Sequence, residues 1–156
     1  MRLSEILHQE HQRTLVALDD LDQWRDKPLP SNMDDISDLL TRLIDVCESD
    51  VTRHYAFEEE NLFPILRQNG ADFMANMLSG EHAIIRPIAQ ALCENATKAL
   101  KDGFTQESWQ KFQELSFEFI GHETFHIQKE EMGLINALNM MLTPEVETPL
   151  LALYLH

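Results

Sequence analysis

The chain presents one set of potential metal ligands twice. Glu10-His11 precedes His54-x-x-x-Glu58-Glu59, and Glu81-His82 precedes His126-x-x-x-Glu130-Glu131. The single histidine precedes the paired motif by 43 positions in the first half and by 44 in the second. On a helix, a histidine and a glutamate four residues apart lie one above the other on one face, so each pair can aim a ring nitrogen and a carboxylate at a common point. Two equivalent halves predict one site across a pseudo-twofold axis. Four imidazoles and two carboxylates suit two metal ions, each holding two histidines, with the carboxylates between them and positions left for an external ligand.

These side chains need helices to carry them. Ser4 is expected to cap a first helix with the stripe Leu7, His11, Leu15, Leu18 and Leu21, running to about Trp24, where Asp26-Lys27-Pro28-Leu29-Pro30 stops it. A second helix from about Asp34 places Ile36, Leu40, Leu43, Cys47, His54 and Glu58 on one face, with Pro64 and Gly70 ending or kinking it. The third, from about Ala71 to Lys101, lines up Ala75, Leu78, His82, Ala89, Cys93, Ala96 and Leu100, with an irregularity expected at Pro87. After Asp102-Gly103, Thr105 caps a fourth helix to about Met141, whose stripe is Phe112, Leu115, Phe119, His122, His126, Glu130, Gly133, Ala137 and Met140. A short fifth helix is expected after Thr143-Pro144. The predicted fold is all-α, an up-down-up-down four-helix bundle with a short C-terminal helix.

Each helix thus turns a ligand candidate inward on an otherwise apolar stripe. An unpaired buried carboxylate costs several kcal/mol, roughly, and no lysine shares these stripes. Arg86, one turn after His82, can offset at most one of the two. A divalent or trivalent cation is the better counter-charge.

Composition narrows the function classes. At 156 residues the chain fits a single domain, residues 1–156. A formal charge of -15 repels phosphate backbones and anionic lipids, which argues against nucleic-acid or membrane partners. No signal peptide or apolar run of spanning length is present, so the expected location is cytoplasmic. Cys47 and Cys93, without CxxC spacing, read as core fillers.

With these motifs the chain resembles the hemerythrin-like, or HHE cation-binding, family. The resemblance runs from His11 to the Glu130-Glu131-Met132-Gly133-Leu134 stretch and includes His54-Tyr55-Ala56-Phe57-Glu58-Glu59-Glu60-Asn61-Leu62-Phe63-Pro64. It implies a non-haem centre of two iron ions, with His11, His54, His82 and His126 as terminal ligands and Glu58 and Glu130 as bridging carboxylates. Imidazole and carboxylate by themselves would also accept zinc or manganese. Oxygen-carrying members place a fifth histidine one turn after the third-helix ligand, where this chain has Arg86. The four-histidine, two-glutamate set is more similar to members of nitrosative-stress, iron-repair and iron-sensing systems.

Other residues are assigned around the ligands. His122, one turn before His126, would replace the missing histidine or bond to a ligand, and the second role is favoured. Arg86, Glu59 and Tyr55 are expected in the same outer layer or lining a pocket. His8 competes with His11, but His11 fits the stripe better. Glu5-x-x-His8 and Glu123-x-x-His126 match the spacing of ferritin-like di-iron proteins, yet they fall on the wrong helices for that class.

The expected function is a di-iron module that binds O2 or NO for sensing, iron handling or protection against oxidative or nitrosative stress, without required turnover. Its rivals are an enzyme reducing peroxide or NO, an iron donor for cluster repair, and a zinc-stabilised interaction domain. The apolar tail Leu150-Leu151-Ala152-Leu153-Tyr154-Leu155 is expected to pack on the bundle, with pairing to a second subunit as the alternative.

Overall fold

A computed structural model describes residues 1–156. Helix α1 is Leu3–Asp22, α2 covers residues 37–68, α3 is Asp72–Asp102, α4 covers residues 106–141 and α5 is Pro144–Leu155. There is no strand.

The distribution of buried apolar side chains gives the topology. One cluster combines the end of α1 (Leu18, Leu21), the start of α2 (Leu40, Leu43), the end of α3 (Leu92, Ala96) and the start of α4 (Trp109, Phe112). The other combines the opposite ends: Leu3 and Leu7 of α1, Leu62 and Leu66 of α2, Ala75 and Leu78 of α3, and Leu134 and Leu138 of α4. Successive helices therefore run antiparallel, in the up-down-up-down order expected. α1 packs on α2 and α4, and α3 packs on the same two, so the four form a ring. α5 closes the second cluster through Tyr154.

Terminal signals act mostly as expected. The Thr105 side chain accepts the Ser108 N–H at 3.1 Å, and the Ser108 hydroxyl accepts the Thr105 N–H at 2.9 Å. Gly70 and Gly103 take φ of 80° and 77°, the left-handed geometry that ends α2 and α3. Ser4 departs from expectation. It lies buried inside α1, where its hydroxyl donates to Asn139 on α4, while Glu5 accepts the Arg2 N–H at the helix start. Pro87 sits within α3 without breaking it.

Two long helices are not uniform. Residues Cys47–His54 and Glu58–Leu62 of α2, and Glu130–Leu134 of α4, widen to i→i+5 hydrogen bonding. Each widened turn lies at or next to a ligand candidate. Pro64 follows the second of them, where its missing N–H and ring are tolerated, so α2 passes it and ends at Gln68.

Candidate metal centre

Between the two apolar clusters lies a belt of polar side chains. His11, His54, Glu58, His82, His126 and Glu130 are all at most 4% exposed and come from all four helices of the ring. The two oxygens of Glu58 are divided, Oε2 lying 3.2 Å from His54 Nε2 and Oε1 3.2 Å from His82 Nε2. Oε1 of Glu130 lies 3.1 Å from His11 Nε2 and 3.4 Å from His126 Nε2. Each carboxylate thus reaches one histidine of each half of the chain.

The six residues resolve into two overlapping groups that could each hold an ion. Glu58, His82, His126 and Glu130 form one, and His11, His54 and Glu130 the other. Despite these close approaches, four atoms facing this space complete no hydrogen bond: His54 Nε2, both oxygens of Glu58 and Oε2 of Glu130. Buried polar atoms are almost always paired, so such a concentration is the mark of a site for a cation.

Outside the belt, carboxylates fix the rings. Nδ1 of His11 lies 2.7 Å from Glu131, Nδ1 of His82 2.9 Å from Glu59, and Nδ1 of His126 2.8 Å from Glu81. Each bond turns Nε2 inward and makes it more basic, the arrangement seen around histidines that ligate metals. Glu59 is itself held by Arg86, and Glu81 by Lys129. Burial pushes Glu59 and Glu81 upward, but their bonds to histidine and to Arg86 or Lys129 outweigh it and hold both below the ordinary glutamate value.

Among the side chains themselves, burial and neighbouring charge drive the groups apart. Burial drives Glu58 well above the usual glutamate range, and the adjacent Glu130 adds to the shift. Burial acts on Glu130 in the same direction, yet the charge of His126 and bonds from its neighbours hold it well below. Burial would lower His126 and His11, but Glu130 and the outer carboxylates overcome it, so His126 stands at about 10 and His11 at about 8. His54 and His82 are lowered by burial to about 3 and about 4, which keeps them neutral and able to donate a lone pair.

The residues assigned around the ligands divide. Arg86 and Glu59 stand behind His82, and Tyr55 stacks on it with ring centroids 3.7 Å apart. His122 does not join them. The buried face of α4 is centred on Phe119, Glu123 and Glu130, and His122 lies on the far flank of His126, exposed beside Phe125 and Lys129. Met140 turns out to solvent for the same reason, and Leu100 of α3 is also exposed. His8 bonds Glu131 at the surface and stays off the belt.

Three participating residues take roles that the sequence does not assign, although Glu81 and Glu131 stand in the doubled motif and Glu123 in the Glu-x-x-His spacing. Glu131 and Glu81 sit next to ligand candidates, and only the rotation of each helix against its neighbour directs them to a histidine on another helix. Glu123, 3% exposed, accepts the Tyr55 hydroxyl. Its signal is present in the spacing, since positions 119, 123, 126 and 130 form a regular helical stripe.

No curated protein matches the chain. Residues 2–138 match the family model for the hemerythrin HHE cation binding domain, so all six belt residues fall inside the match. With its histidines and glutamates from four helices gathered into one buried layer, the chain belongs to the hemerythrin HHE cation-binding family.

Proposed function

We propose that this protein holds two iron ions, with His11 and His54 serving one, His82 and His126 the other, and Glu58 and Glu130 shared between them, and that the centre binds O2 or NO. The observation that carries this reading is the unpartnered set in the belt: three carboxylate oxygens and an imidazole nitrogen, all buried and convergent. One ion would leave a histidine pair or a carboxylate unserved, whereas two fit the division into overlapping groups.

When bound, the ions would supply an open coordination position and a change of oxidation state, which is the chemistry that O2 and NO require. The chain's own residues do the rest. The apolar clusters above and below the belt exclude water, Glu59, Glu81 and Glu131 hold the imidazoles in orientation, and Tyr55 covers the face of His82. Arg86 is engaged with Glu59 and is no replacement for a nitrogen ligand. This supports a role in sensing, iron handling or protection from oxidative or nitrosative stress.

Anaerobic loading with Fe(II) should give two iron ions per chain, and O2 or NO should then produce reversible ligand-to-metal absorption bands. Glu58→Ala and Glu130→Ala should each lose at least one ion. Protein that takes up no iron, or only zinc, would sink the proposal. A second reading, turnover of peroxide or NO, is favoured by Glu123 and Tyr55, a buried carboxylate and phenol in contact beside His82 that could relay a proton. Multiple-turnover consumption that is lost in Tyr55→Phe would favour it over passive binding.

A further inference from the structure

The chain has two cysteines, and the fold brings them together. Cys47 begins the first widened turn of α2, and Cys93 lies on α3. The Cys47 thiol donates to the carbonyl of Ala89 at 3.5 Å, one turn before Cys93 on α3. Both side chains line a single cavity of about 420 Å³ that also presents Thr52, Ala56, Arg86 and Gln90. Cys47 is 5% exposed and Cys93 partly exposed, and both are free thiols.

We propose that Cys47 and Cys93 form an oxidisable dithiol that closes to a disulfide between α2 and α3 when the protein meets a hydroperoxide. The more open thiol, Cys93, loses its proton and attacks the outer peroxide oxygen. The O–O bond breaks, the alcohol or water leaves, and Cys93 becomes a sulfenic acid. Cys47 then attacks that sulfur, the S–O bond breaks and water departs with the Cys47 proton. Two thiols and one hydroperoxide thus give one disulfide, one alcohol and one water. The cysteines lose two electrons and the peroxide gains them.

The order of attack follows from the surroundings. Burial pushes both thiols up, Glu48 and Glu94 of the cavity wall add to this at Cys93, and each thiol perturbs the other. Cys93, partly exposed where Cys47 is 5% exposed, is the thiol that a hydroperoxide entering the cavity meets first. Cys47 opens the widened turn Cys47–His54, so its backbone lies outside the regular i→i+4 ladder of α2. Its carbonyl accepts a bond from the Thr52 hydroxyl at 3.0 Å.

The test treats full-length reduced protein with hydrogen peroxide or an organic hydroperoxide, with and without an iron chelator. Free thiols are then titrated under denaturing conditions, and intact and peptide masses are measured. Both thiols should disappear together, with loss of two hydrogens and a cross-linked Cys47–Cys93 peptide, reversed by dithiothreitol. The oxidised form should unfold several degrees higher. Cys47→Ser should leave Cys93 as a sulfenic acid trapped by dimedone, and Cys93→Ser should leave Cys47 unmodified. If Cys47→Ser does not fold, Cys47→Ala carries the same test. Persistence of both thiols, oxygen added to Cys93 while Cys47 stays free, or cross-links only between chains would each overturn the proposal. Because the chelator arm excludes iron, none of these outcomes depends on the centre proposed above.

Discussion

At the scale of single residues, position relative to the belt decides what a carboxylate does. Glu58 is buried and driven toward its neutral form by burial and by Glu130, whereas Glu59, next in sequence, is held ionised by Arg86 and His82. Glu58→Gln should therefore leave the stability of metal-free protein unchanged or slightly raised, and should abolish the rise in unfolding midpoint expected of the native chain on loading with iron. Glu59→Ala frees the His82 ring without removing any of the six proposed ligands, so iron affinity should fall about 10- to 100-fold, measured by competition with a chelator.

Asp50 offers a titration at the edge of the belt, with a carboxylate oxygen within 4.8 Å of a His54 ring nitrogen and of Glu10. It is partly buried against Thr14 and is pushed up to about 6 by burial. Between about pH 4 and pH 6 the folded chain keeps a proton that the unfolded chain has released, so stability falls as pH rises through that window and levels off above it. Asp50→Asn keeps an acceptor for Thr14 and should flatten this slope, gaining about 1–2 kcal/mol at neutral pH and nothing below about pH 4. Urea denaturation across that range reads the difference, and an unchanged slope would show that Asp50 ionises freely.

Among the elements, the helices that build the belt were legible because a histidine and glutamate four apart on an apolar stripe can face only one way. His54, Glu58, His126 and Glu130 follow from that, and His11 and His82 from their own stripes. Contacts between helices were not legible, because they depend on how far each helix is rotated against its neighbour. That rotation turns His122 outward, brings Glu131 from α4 to His11 on α1, and directs Glu81 from α3 to His126 on α4. The widened turns were also hidden, since no local residue pattern announces an i→i+5 bond. The apolar tail was expected to pack on the bundle and does so in part: Leu153 and Leu155 are exposed, whereas Tyr154 is 4% exposed, its hydroxyl donates to Glu10 at 2.8 Å, and its ring meets Phe57 at 4.5 Å. Tyr154→Ala should cost about 3 kcal/mol of stability and Tyr154→Phe about 1, because the second loses only the bond to Glu10.

For the whole molecule, net charge acts in a way that no single contact reveals. A formal charge of -15 on 156 residues makes the folded chain repel itself. Its unfolding midpoint without metal should rise as salt increases toward about 0.5 M, since screening weakens that repulsion. A flat or falling response would mean that ion pairs such as Arg42 with Asp20 outweigh it. No helix is long and apolar enough to cross a membrane.

The belt that divides the two apolar clusters also sets where this bundle gives way. In an ordinary helical bundle the ends fray and the waist is the last part to open. Here the waist is the stretch with unpartnered polar atoms and widened turns. Stripped of its cation, the chain should behave as two half-cores joined by a weak middle. Amide hydrogens around His54–Glu58 and His126–Glu130 should then exchange faster than those beside Leu40 or Leu138, and iron should reverse that order. The ions would act as the rivet of the fold as well as its reagent.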